Sequence, residues 1–67
     1  MLNDRLRQLR KISGKTMKEV SAELGIALTT YAGYEQGVRE PSICMLSKLC
    51  DYFDVSADYL IGRTDIY

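Results

Sequence analysis

Histidine and tryptophan are absent from this 67-residue chain, proline and phenylalanine occur once each, and cysteine twice. Without histidine the commonest general base is missing. Two cysteines alone argue against a zinc site. Cys44 and Cys50 lie six apart, ~600° of helical rotation, so they point to different faces and cannot bridge. No apolar run approaches the ~20 residues needed to span a bilayer. The N-terminal stretch MLNDRLRQLRK is charged and amphipathic and lacks the apolar centre of a signal peptide. The expected location is therefore the cytoplasm, with no membrane association. No nucleophile–base pair, metal-ligand cluster or glycine-rich phosphate loop is legible, which argues against an enzyme. Neither a cofactor nor a small-molecule ligand is implied.

Net charge is also absent, at zero overall, but its distribution is not even. Residues 1–18 carry Arg5, Arg7, Arg10, Lys11, Lys15 and Lys18 against Asp4 alone, a balance of +5. Residues 19–67 carry the opposite balance of −5. Such a chain presents a basic end to an anionic partner while the acidic remainder faces away.

A chain this short is one domain, residues 1–67, and buries only ~60% of its unfolded surface, so short helices with local contacts suit it best. Five helices are predicted, with no strand. Asn3 caps a first helix to about Ser13, where Leu2, Leu6 and Leu9 form a stripe and Gly14 follows. Thr16 caps a second to Leu24, with Glu19 completing a capping box, and Gly25 stops it. A third runs from about Leu28 to Gln36 and is closed by Gly37. Ser42 caps a fourth to about Tyr52, with Ile43, Leu46, Leu49, Cys50 and Phe53 inward. Ser56 caps a last short helix to Ile61, before Gly62. Val20, Ser21 and Leu24 face inward before Gly25, as do Tyr31 and Tyr34 after it. Two helices at this spacing around a short turn with glycine read as a helix-turn-helix, which offers its second helix to the major groove.

The residues RLRQLRK in the first helix, T-x-x-E-V-S opening the second, the Gly25 turn, Y-E-Q-G closing the third, R-E-P in the loop and V-S-A-D-Y-L-I-G at the end occur in that order. Over Arg5 to Gly62 the chain resembles the Cro/repressor (XRE-type) helix-turn-helix domain of phage and bacterial regulators. The resemblance implies an all-α five-helix, lambda-repressor-like bundle with helices 2 and 3 as the motif. It also implies a homodimer on a short palindromic operator in double-stranded DNA, regulating and in particular repressing transcription. An arginine late in the first helix of such proteins pairs with a glutamate ending the recognition helix, and Arg10 and Glu35 occupy those positions. That pair is expected to orient the helix rather than read bases.

The departures from the family pattern concern readout. Met17 stands where a polar phosphate contact is usual. The recognition helix of the family offers polar residues at its first two positions and again four to five residues later. Here Leu28, Thr29, Thr30, Ala32 and Gly33 are the expected base-contacting positions, and none is a bidentate reader. Thr29 and Thr30 carry the only hydroxyls among them, while Leu28 and Ala32 suit thymine methyls. Gly33 costs ~1 kcal/mol of helix propensity relative to alanine and leaves a bare patch of backbone. Lys15, Met17, Lys18, Arg39 and Ser42 are the expected phosphate contacts, with Arg7 and Lys11 as further cations and the backbone N–H groups of helix N-termini as donors.

A second reading has this surface serving a protein partner, as in an antitoxin or anti-repressor, through an apolar patch of Met17, Leu28, Tyr31 and Met45. Tyr31 also carries a minor reading as a phosphate ligand. Asp51, Tyr52, Asp58, Ile61 and Ile66–Tyr67 are candidates for a dimer surface. Cys44 is expected to be exposed and Cys50 to be a small buried hydrophobe. The chain reads equally as a self-contained regulator resembling Cro or as the N-terminal piece of a longer repressor.

Overall fold

In a computed structural model the described residues are 2–67. They form α1 (Leu2–Ile12), α2 (Met17–Leu24), α3 (Leu28–Gln36), α4 (Ile43–Phe53) and α5 (Ala57–Leu60). No strand occurs among them. α1 packs on α3 and α5, α2 on α3 and α4, and α4 on α5. The all-α five-helix expectation is met.

The helix boundaries follow from local chemistry. The Thr16 hydroxyl accepts from Glu19 N at 3.1 Å, and the Glu19 carboxylate accepts from Thr16 N at 2.9 Å. This reciprocal box satisfies two N–H groups that a helix start otherwise leaves unpaired. Ser42 and Ser56 cap α4 and α5 through Met45 N and Tyr59 N, each at 3.1 Å. Gly25 ends α2 with a positive φ of 74°, and the N–H of Ile26 returns to Ser21 O, so the chain reverses tightly into α3. α4 ends in the same left-handed way on Asp54, at φ 56°, with no glycine to mark it in the sequence.

The core is Leu6, Leu9, Val20, Tyr31, Tyr34, Leu49, Tyr59 and Leu60, with Leu24, Leu46, Cys50 and Phe53 partly buried against it. Ser21 is buried as expected. Three expectations fail. Asn3 lies inside α1 rather than capping it, because the helix already begins at Leu2. Ile43 is 87% exposed: the apolar stripe of α4 continues in sequence past the partners that cover it. Tyr52 turns partly inward and hydrogen-bonds to α2, so it leaves the list of outward dimer candidates.

Arg5 does more than add charge. Its guanidinium donates to Tyr59 O at 2.8 Å, Thr64 O at 2.6 Å and Asp65 Oδ1 at 2.8 Å, and lies 4.2 Å over the Tyr59 ring. It ties the last residues of the chain to α1.

Candidate nucleic-acid interface

α3 is held from one side only. Tyr31, Tyr34 and Glu35 face the core and are buried, and the two tyrosine rings meet edge to face at 6.4 Å. At 3.6 residues per turn, Thr29, Ala32, Gly33 and Gln36 share the opposite arc. Leu28 is 45% exposed, Thr29 and Gln36 are exposed, and Thr30 and Ala32 are half-buried at its margins. Ala27 supplies no side-chain cap to α3, so first-turn N–H groups there have no side-chain acceptor.

The inner side of α3 is locked by charge. Arg10 Nε donates to Glu35 Oε2 at 2.7 Å, and Arg10 Nη2 to Oε1 at 3.2 Å. The Arg10 and Glu35 side chains are 16% and 4% exposed. The hydrogen bond to Glu35 raises the Arg10 pKa further above its ordinary value. Arg10 Nη1 also donates to Lys15 O, and Arg7 Nη2 to Glu35 O. One guanidinium thus joins α1, the α1–α2 turn and α3, and a second binds the same turn of α3. Such a two-toothed pair fixes direction as well as distance.

The Tyr31 hydroxyl is buried with no hydrogen-bond partner, and burial foremost, then the Glu35 carboxylate nearby, holds its pKa up. At 0% exposure Tyr31 reaches neither a phosphate nor a partner protein, which removes both minor roles expected of it.

Lys15, an expected phosphate contact, is engaged within the fold. Its Nζ donates to Glu23 Oε1 at 2.7 Å and to the Tyr52 hydroxyl at 3.1 Å, and Tyr52 donates to Glu23 Oε1 at 2.5 Å. The three groups tie the α1–α2 turn to α2 and α4. The Glu23 bond foremost, then Tyr52, raises the Lys15 pKa, and the Lys15 bond foremost, then Tyr52, lowers that of Glu23. Burial foremost raises the Tyr52 pKa. No sequence spacing announces this triad, because its members lie 8, 29 and 37 residues apart.

The basic N-terminal segment is therefore largely consumed inside the fold. Arg5, Arg7, Arg10 and Lys15 all have acidic partners. Lys11, Lys18 and Arg39 are exposed and lack an ion-pair partner among the described residues. Lys18 lies in the first turn of α2 beside Met17, whose side chain packs toward the core. The Ser42 hydroxyl is occupied as the α4 cap.

Gly33 is buried although it lies on the outer arc of α3, because Arg39 covers it. A Cβ at Gly33 would stand 3.0 Å from Arg39 Cδ, 3.1 Å from Cγ and 3.3 Å from Cβ. The bare backbone patch expected there is occupied. Gly33 O also accepts from Val38 N at 3.1 Å and Arg39 N at 3.2 Å, which fixes where Arg39 leaves the chain. Arg39 further lines a groove of about 440 Å³ with Leu2, Asn3, Tyr34, Pro41 and Ile61.

Both cysteines are free thiols, Cys44 exposed and Cys50 half-buried, and burial raises the Cys50 pKa. Among the described residues no helix is long and apolar enough to cross a membrane.

The same arrangement occurs in known proteins. A family profile described as "Helix-turn-helix" matches residues 6–60. The chain is 48% identical over 60 residues to the HTH-type transcriptional regulator AnsR of Bacillus subtilis, covering 90% of this chain and 52% of that protein. It is 39% identical over 62 residues to the cryptic phage CTXphi transcriptional repressor RstR of Vibrio cholerae, covering 92% of this chain and 55% of that protein. The chain spans about half the length of these curated relatives. The solved N-terminal DNA binding domain of SinR from Bacillus subtilis superposes with a TM-score of 0.83 at 30% identity, over 92% of this chain and 91% of that one. These relatives are named as regulators of transcription or as a DNA-binding domain, not as enzymes. By its motif, its helix order, its Arg10–Glu35 lock and these matches, the chain belongs to the XRE-type helix-turn-helix family.

Proposed function

We propose that residues 1–67 act as one DNA-binding unit that pairs with a second copy on a short palindromic operator and represses transcription in the cytoplasm. The observation that carries this reading is the one-sided anchoring of α3: its inner face is locked by Tyr31, Tyr34 and Arg10–Glu35, and its outer face is left open. That is the requirement for a helix that enters a groove without losing its aim. The names of RstR, a phage repressor, and SinR, a DNA-binding domain, support it.

Thr29 and Thr30 contact base edges, and Leu28 and Ala32 pack on thymine methyls. Lys18 and the backbone N–H groups at the starts of α2 and α4, Met17 and Ser42 among them, hold phosphates. Arg10 and Glu35 orient. Few direct readers mean that DNA shape supplies part of the specificity. Asp51, Asp58, Ile61, Ile66 and Tyr67, all exposed, form the dimer surface.

Selection of duplexes from a random pool, followed by fluorescence-anisotropy titration at two salt concentrations, tests this. The expected result is a palindromic consensus bound far more tightly than random duplex, with affinity falling steeply as salt rises. Indiscriminate binding, or none, would instead assign this face to a protein partner.

A further inference from the structure

The outer arc of α3 lacks the residues that read bases in two-toothed fashion, except Gln36 at its very end. Its sixth position, where the family places a polar reader, is Gly33. That glycine is not an empty seat. The Cβ, Cγ and Cδ atoms of Arg39 lie across it, so close that a Cβ at position 33 would make them give by a few tenths of an ångström. The backbone enforces the placement, since both Val38 N and Arg39 N donate to Gly33 O. The stem of Arg39 is thus pinned on the outer arc of the recognition helix, while its guanidinium makes no hydrogen bond or ion pair among the described residues.

We infer that Arg39, lying across Gly33, is a base-reading residue of this protein, and that its target is the O6/N7 edge of a guanine. A residue outside the helix in sequence then fills the readout position that the helix itself leaves blank. Guanidinium geometry matches that edge with two parallel N–H donors. Pinning the stem removes much of the rotamer freedom that a long side chain otherwise loses on binding. Glycine at position 33 has a purpose in this arrangement: it is the clearance that brings Arg39 onto the groove-facing surface. The inference rests on the DNA-binding reading above and deepens it.

Two substitutions test it against the duplex selected by the wild-type chain and each of its single base-pair variants. Arg39→Met keeps an unbranched apolar stem over Gly33 and removes the guanidinium. Gly33→Ala keeps the guanidinium but crowds the stem, which must give by a few tenths of an ångström, and gains helix propensity, so the variant stays folded by circular dichroism. The expected result is one G·C pair at which wild-type discrimination of roughly 5- to 150-fold is abolished by Arg39→Met and reduced by Gly33→Ala. Preferences at other pairs persist. Equal weakening on every duplex by Arg39→Met, with the salt slope reduced by about one, would make Arg39 a phosphate anchor and overturn the inference alone. Unchanged preferences in both variants would do the same. A wild-type chain that distinguishes no duplexes would overturn the DNA-binding reading and this inference with it.

Discussion

Removing either partner of the Arg10–Glu35 pair strands a charge that the fold has taken out of water. With side-chain exposures of 16% and 4%, the pair belongs to the buried class, for which loss of one partner costs ~3–5 kcal/mol. A 67-residue domain has roughly 3–10 kcal/mol of total stability, so Glu35→Ala consumes a third of it or more. Glu35→Gln keeps an oxygen acceptor for Arg10 Nε and falls between the two. The double variant Arg10→Met/Glu35→Leu removes both charges and both desolvation penalties, and returns to within about 1–2 kcal/mol of the wild type. Urea titration followed by far-UV circular dichroism reads these chains and the single variants Arg10→Met and Glu35→Leu that complete the cycle. At an m-value of about 1 kcal/mol per molar urea, the midpoint of Glu35→Ala moves down by about 3 M or the chain is already unfolded in buffer. The two charges then show strong coupling in a double-mutant cycle. Single variants that each lose under 1 kcal/mol would place the pair among ordinary surface ion pairs and refute the claim that it locks α3.

Three further outcomes are expected. The Lys15 and Tyr52 bonds hold the Glu23 carboxyl below its ordinary 4.5. A depressed carboxylate contributes stability that is present above the unfolded value and lost as pH falls through the folded one. The stability difference between wild type and Glu23→Gln is therefore constant above about pH 5 and vanishes in stronger acid; a difference persisting at low pH contradicts this. Asp54→Gly relieves the left-handed backbone at the end of α4 and raises the urea-derived stability by about 1 kcal/mol; a loss would contradict the strain. Thr29→Ala and Thr30→Ala relax specificity at one or two base pairs by ~1–3 kcal/mol, whereas Lys18→Ala weakens all duplexes alike. Anisotropy titrations in which the threonine variants lose equally on selected and random duplex refute their assignment as base readers.

What was legible in the sequence was local. Thr16, Glu19, Ser42 and Ser56 act within three residues of themselves, and their caps appear where their spacing places them. Gly25 and Gly37 end helices because a left-handed residue is wanted there. Arg10–Glu35, 25 residues apart, is marked by family resemblance and not by spacing. What was hidden is long-range. Nothing in the sequence joins Lys15 to Glu23 and Tyr52, so the sequence marks Lys15 as a phosphate contact and gives no sign of these bonds. Nothing links Arg5 to residues 59–65, so the basic stripe looked larger than the fold leaves it. Asp54 takes a conformation that glycine usually signals. Gly33 read as bare because its cover, Arg39, comes from a loop whose path only the three-dimensional structure supplies.

In the proposed function DNA sits on the open face of α3. Titrating the ¹⁵N-labelled chain with its selected duplex and following backbone amide shifts tests it most directly. Large shifts are expected at Leu28–Gly33, Arg39 and the N-termini of α2 and α4, with little change at Leu6, Leu9 and Leu60. Shifts confined to other surfaces, with α3 unmoved, would contradict it.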